Sequence, residues 1–346
     1  MGNAWLFSAA PLPVAHEVAN VSGVVTGPTA SHSCARLEGG TARCWGANGK
    51  GQLGDGTLTY WKTPVQVIKA PADATTTPAT PAVALGSILD LAVGARHSCA
   101  LIAVDAATGQ TRVDCWGDNA YGQLGNASRV DSATPVTVSG FSSLKIVELA
   151  LGEDFGCGLT STGSARCWGS NAYGQLGTGQ ALSLVQTSPL TWLANLNSGI
   201  ASLAAGAQHA CAVTGAGVAH CWGRNDYGQL GLNTTANMGT PNAVQGLSGK
   251  VLSMGLGYLH SCAVLDDETL WCWGNNAYGQ LGDGTTAHRR LPVKVKLAGV
   301  ASVSCGTAHT CAVLRDGSAR CWGRNDYGQL GRFPGQLGAV EGALFP

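Results

Sequence analysis

Short apolar runs recur along the chain, and each closes on a glycine: Ile88–Gly94, Val147–Gly152, Ile200–Gly206, Val251–Gly257 and Val300–Gly306. Within each run apolar positions alternate with small or polar ones, which predicts half-buried or buried strands. A second run carrying His-x-Cys follows, as in His97-Ser98-Cys99-Ala100-Leu101. Asp316-Gly317, between Leu314 and Ser318, is hairpin-turn chemistry. A third run ends in Cys-Trp-Gly, and Asn-x-Tyr-Gly-Gln-Leu-Gly after it reads as turn residues around one anchoring Leu. Beyond a variable loop comes a Pro-Val-x-Val strand, at Pro135–Val138 and Pro292–Val295. Four short meandering strands per unit are the content of one β-propeller blade, so the expectation is an all-β chain.

The unit is written six times. Its Cys-Trp-Gly signatures begin at Cys44, Cys115, Cys167, Cys221, Cys272 and Cys321, spaced by 71, 52, 54, 51 and 49 residues. A nearly fixed period of this size marks repeats that cannot bury a core alone and must pack on one another. Six blades of about 50 residues are therefore expected in a single domain over residues 18–346, with residues 1–17 as a separate N-terminal segment. The alternative is a seven-bladed ring completed by terminal segments such as Ala4–Phe7 and Ala339–Phe345. The longer first interval has two sources, the Pro/Thr/Ala-rich loop Pro71–Pro81 and a Cys99–Cys115 hairpin six residues longer than its siblings.

Composition narrows the function classes. Glycine supplies 50 of 346 residues while apolar content stays at 45%, which fits many tight turns rather than disorder. Lys plus Arg and Asp plus Glu are 20 each, so the basic excess that accompanies nucleic-acid or anionic-membrane binding is missing. No run of 18 apolar residues predicts a membrane span. Residues Ala4–Ala15 are apolar, but two prolines interrupt them and no Lys or Arg precedes them, so they make a poor signal peptide.

Twelve of the 13 cysteines form one pair per repeat: Cys34/Cys44, Cys99/Cys115, Cys157/Cys167, Cys211/Cys221, Cys262/Cys272 and Cys311/Cys321. In Cys311…Cys321 the midpoint, Asp316, lies in the turn, so the two cysteines face each other across neighbouring strands. Directly opposed residues sit about 4.5–5.5 Å apart at Cα, within disulfide range. Six intra-blade disulfides are expected, each worth roughly 2–3 kcal/mol in the chain-entropy model, with the adjacent Trp packed over the bridge. Such regular pairing favours an oxidising compartment, extracellular or periplasmic. A metal reading fares worse: His, Cys and facing Cys give three ligands where structural zinc takes four, and Phe155 replaces the His of the third repeat. Neither a metal nor any other cofactor is expected. Cys305 stands where Val93, Leu151, Ala205 and Leu256 stand, which marks a small buried residue.

The order G-x-x-H-x-C-A-L, then D-G, then C-W-G-x-N-x-Y-G-Q-L-G, resembles the regulator of chromosome condensation repeat family over Val18–Gly331. The resemblance implies a propeller that binds proteins. Its founding member exchanges nucleotide on a small nuclear GTPase and uses a basic tail, which this chain lacks. Light-sensing relatives carry a G-W-R-H-T motif, whereas Gly94-Ala95-Arg96-His97-Ser98 has Ala at the Trp position. Secreted bacterial relatives include an inhibitor that grips its target with one face of the ring.

No G-x-S-x-G or phosphate loop is present, and the paired acids Glu153-Asp154 and Asp266–Glu268 fall at a strand boundary and a turn. The chain therefore reads as a non-enzymatic, monomeric scaffold that recognises a protein partner through variable loops. The candidate segments are Leu58–Lys69, Pro71–Pro81, Leu232–Gln245 and Asp283–Arg290, with Tyr60, Trp61, Trp192, Arg289 and Arg290 as contact residues. The alternatives are an intracellular exchange-type or signalling scaffold and a carbohydrate-binding or hydrolytic propeller.

Overall fold

The computed structural model describes residues 18–70, 82–180, 185–189 and 191–331. The terminal segments invoked for a seventh blade and the Pro71–Pro81 loop lie outside the described residues. Among those described, every regular element is a strand. Each repeat folds as an antiparallel meander. Blade 1 comprises Val21–Val25, His32–Leu37, Ala42–Gly46 and Trp61–Gln66. Blade 5 repeats that order with Val251–Leu256, His260–Leu265, Leu270–Gly274 and Arg289–Lys294. Five sheets have four described strands, and blade 6 has three: Val300–Cys305, His309–Leu314 and Ala319–Gly323. A two-stranded hairpin of Ile68–Ala70 and Val83–Ala84 flanks the long first loop.

The six blades form a ring, a six-bladed propeller. First strands of successive blades touch, and a cavity of about 290 Å³ on the axis is lined by all six, from Val25 through Leu91, Leu149, Leu203 and Met254 to Val303. Where the last blade returns to the first, Thr307 Oγ1 donates to the Pro28 carbonyl at 2.8 Å. The glycine closing each first strand is a steric requirement. A Cβ at Gly94 or Gly152 would collide with the ring of His97 or Phe155 in its own blade.

Paired cysteines are directly opposed in register, as Cys157 opposite Cys167 and Cys311 opposite Cys321. All six pairs are disulfides: 34–44, 99–115, 157–167, 211–221, 262–272 and 311–321. Their Cα separations of 4.0–4.1 Å are shorter than opposed pairs usually show. The tryptophans depart from the expectation. Trp and Cys are neighbours on a strand and so point to opposite faces of the sheet. The Trp of blades 2 to 6 therefore covers the bridge of the preceding blade: Trp116 packs with Cys34, Cys44 and Leu53, and Trp273 with Cys211, Cys221 and Leu230.

Candidate functional site

Chemistry at the blade junctions is repeated and structural. Successive side chains on a strand alternate faces, so His and Cys of one blade look forward while the hydroxyl residue and Trp of the next look back. His260 Nε2 meets Thr310 Oγ1 at 2.9 Å, Thr310 Oγ1 donates to the Gln280 carbonyl at 2.8 Å, and Trp322 Nε1 donates to the same carbonyl at 2.9 Å. His32–Ser98–Gln52–Trp116 and His209–Ser261–Gln229–Trp273 are built alike. Burial pushes these imidazoles down, His32 to about 4 and His209 and His260 to about 3, so they are neutral hydrogen-bonding groups. Blade 3 explains the missing histidine. The residue opposite Phe155 in blade 4 is Ala210, which has no hydroxyl to meet.

Loops and turns converge on one rim. In blades 1, 2, 4 and 5 a buried Asn of the turn ties down the variable loop after it: Asn48 Nδ2 bonds Asp55 and the Thr57 carbonyl, and Asn276 Nδ2 bonds Asp283 and the Thr285 and Ala287 carbonyls. The Asn oxygen meanwhile accepts from the amide of the anchoring Leu, Leu53 or Leu281. The turn of one blade then abuts the loop of the next, as where Tyr227 meets the edge of His288 at 5.0 Å. Among the described residues the rim is thus continuous from blade 1 through blade 5.

Tyr60 is 51% and Trp61 37% exposed at the rim of blade 1, and Trp61 Nε1 is held by Asp55 at 2.9 Å. Arg290 is exposed at the same place in blade 5, while Arg289 is half-buried and paired with Asp283 at 2.7 Å. Trp192 sits elsewhere in character: it is half-buried, bridged to Arg166 and stacked under that guanidinium at 3.8 Å. The segments Leu58–Lys69 and Leu232–Gln245 are only partly loop, because the fourth strands Trp61–Gln66 and Met238–Ala243 take their middles.

Sequence reading passed over the tyrosine of the repeated turn. Tyr121, Tyr278 and Tyr327 are 42–59% exposed on this rim, and Arg324 stacks on Tyr278 at 5.1 Å as Arg224 does on Tyr173 at 5.0 Å. The signal was present, a large aromatic in an otherwise Gly/Asn turn where an anchoring Leu already fills the core. Lys50 occupies that position in blade 1 and pairs with Asp131 at 2.8 Å.

His260, Cys262 and Cys305 bring three side-chain atoms within 4.8 Å of one another near the axis. Cys262 is already bonded to Cys272, so its sulfur is not a thiolate ligand here. The His–hydroxyl pairs of the junctions are closed off from solvent, and each hydroxyl proton is committed to a main-chain carbonyl, as Ser98 to Gln52 and Ser261 to Gln229. The rim offers aromatic faces, guanidinium groups and loop backbone, which suit recognition of a surface.

A family model described as RCC1-like domain matches residues 8–338. Human ubiquitin-protein ligase HERC2 is 28% identical over 302 residues, covering 84% of this chain and 6% of that protein. The Arabidopsis thaliana ultraviolet-B receptor UVR8 is 30% identical over 268 residues, covering 77% of this chain and 56% of that one. The chain thus spans only part of these relatives. Among solved structures, yeast RCC1 (Prp20) bound to Kap60 superimposes with a TM-score of 0.74 at 23% identity, over 92% of this chain and 73% of that one. Human WBSCR16 gives 0.72 at 23% identity, over 90% and 79%. Fold, repeat signature and family match agree, and the chain belongs to the RCC1-like domain family.

Proposed function

We propose that this propeller is a non-enzymatic binding scaffold, secreted or periplasmic, that acts as a monomer and grips a protein partner with one rim of the ring. The observation that carries this reading is the set of exposed aromatic and guanidinium groups Tyr60, Trp61, Tyr278, Tyr327 and Arg290, with the loops of blades 1 and 5 held by buried asparagines. Tyr, Trp and Arg are the residue types that dominate interface energies, and preorganised loops lose little entropy on binding. Six disulfides, five of them buried, support a compartment in which thiols are oxidised. Likeness to RCC1, whose yeast form is solved bound to Kap60, supports protein as the partner class.

Capture of partners from the native extracellular or periplasmic fraction tests the proposal. Replacing Tyr60 and Trp61 with Ala should cut capture at least tenfold while the thermal midpoint stays unchanged. Unchanged capture after replacing these two together with Tyr278, Tyr327 and Arg290 would rule this rim out. The kinship with yeast RCC1 favours a second reading, an intracellular exchange-type or signalling scaffold, which requires the paired cysteines to be thiols in the cell.

A further inference from the structure

Cys305 is the free cysteine among the described residues, and it is buried on the last position of the first strand of blade 6. Its thiol donates to the Gly255 carbonyl of blade 5 at 3.3 Å, so its sulfur leans across the blade junction. There it lies within 4.8 Å of Cys262 Sγ, one half of the blade 5 disulfide. Blades 2 to 5 carry Val93, Leu151, Ala205 and Leu256 at this position and blade 1 carries Thr26, so in no other repeat does the sequence place a third sulfur there.

We propose that Cys305 is the attacking thiol of an internal thiol–disulfide exchange that moves the blade 5 bridge onto the blade 5/blade 6 junction. The Cys305 thiolate attacks Cys262 Sγ, the Cys262–Cys272 bond breaks, and a Cys262–Cys305 bond forms. Cys272 leaves as a thiolate and takes up a proton, replacing the one Cys305 lost. One disulfide is exchanged for another, so the step requires no oxidant or reductant. Its product joins two blades covalently beside the axial cavity, which Cys305 lines, and opens the hairpin clasp beneath Trp322.

Attack requires the thiolate, and burial pushes the Cys305 thiol up to about 12. The exchange is therefore held back at neutral pH. Its rate should climb about tenfold per pH unit, following the thiolate fraction.

Protein purified without reductant is incubated at pH 7, 8 and 9, quenched in acid, then unfolded in N-ethylmaleimide and mapped by mass spectrometry. At the start the label should sit on Cys305. With time it should pass to Cys272 as a Cys262–Cys305 peptide pair appears, about a hundredfold faster at pH 9 than at pH 7. In Cys305→Ala, which copies Ala205 of blade 4, the Cys262–Cys272 bridge should persist at every pH. Label that stays on Cys305 at pH 9 overturns the proposal. So does label spreading to cysteines of other blades, which would mean scrambling through unfolding, or a rate independent of pH.

Discussion

The indole Nε1 of Trp273 donates to the main-chain carbonyl of Gln229, one blade back in the ring, at 2.8 Å. Four other junctions make the same bond: Trp116 to Gln52, Trp168 to Gln123, Trp222 to Gln175 and Trp322 to Gln280. Trp45 of blade 1, whose preceding neighbour in the ring is blade 6, makes no such bond among the described residues. It is half-buried, where Trp116, Trp168, Trp222 and Trp273 are fully buried.

Truncation at these positions should therefore be unequal. Trp273→Ala empties a closed site and leaves the Gln229 carbonyl with Ser261 alone, at a cost of about 3–5 kcal/mol. Trp45→Ala should cost less than half as much. Denaturant unfolding midpoints compared under matched conditions check the contrast, and equal losses would mean that the sixth junction is as tightly built as the rest.

His97 is the buried histidine whose junction lacks its partner, since Gly156 stands where blades 2, 5 and 6 place Ser98, Ser261 and Thr310. Both its ring nitrogens are unpartnered, and burial, with His32 adding, pushes its pKa down to about 3. The unfolded chain takes up this proton near pH 6.5, whereas the folded chain resists it until about pH 3. The resulting stability is fully present above pH 6.5 and is lost as the pH falls to about 3. His97→Phe, which copies Phe155, should keep or raise stability at pH 7 and flatten the acid side of the stability–pH curve. His260→Phe should instead cost about 1 kcal/mol at pH 7, because it removes the bond to Thr310.

Glu148 titrates in the opposite sense. Its carboxylate oxygens sit 3.3 Å from the Leu203 amide of blade 4, and burial, with Asp90 adding, pushes its pKa up to about 7. The folded chain holds this proton over a range, from the ordinary 4.5 up to about 7, in which the unfolded chain has released it. Ionised Glu148 therefore burdens the fold above pH 7, and the burden disappears as the pH falls toward 4.5. Glu148→Gln should raise the thermal midpoint at pH 8 and change it little at pH 5. A lower midpoint at pH 8 would show that the carboxylate charge is satisfied in the fold.

Removing one clasp should not open the ring. Cys211→Ala with Cys221→Ala releases a short loop whose bridge is worth roughly 2–3 kcal/mol. The double variant should keep its β-rich circular dichroism and lose that much against denaturant. Loss of the folded state altogether would show that single bridges are essential to assembly.

Much of the architecture was legible because it is carried by side chains at fixed spacing. Cys311 and Cys321 straddle a turn centred on Asp316, so their pairing follows from strand register alone. The junctions were less legible. The acceptors at Gln52, Gln123 and Gln175 are main-chain carbonyls, and a carbonyl leaves no trace in residue identity. The expectation that Trp covers its own bridge failed for a related reason: strand alternation sends it to the opposite face, and its contact lies one repeat away. Rim residues divide in the same manner. Tyr60 was readable as an aromatic in a polar loop, whereas the engagement of Trp192 by Arg166 joins positions 26 residues apart through an isolated bridge. Tyr278 and Tyr327 were concealed by their own regularity, since a residue repeated in five of the six turns looks structural.

Counting thiols on the protein taken from its native host, with alkylation during lysis and unfolding without reductant, tests the disulfide-clasped scaffold most directly. One alkylated cysteine is the expected result, whether it is Cys305 or its exchange product Cys272. Thirteen would contradict it, placing the propeller in a reducing compartment and its cysteine pairs among ordinary core side chains.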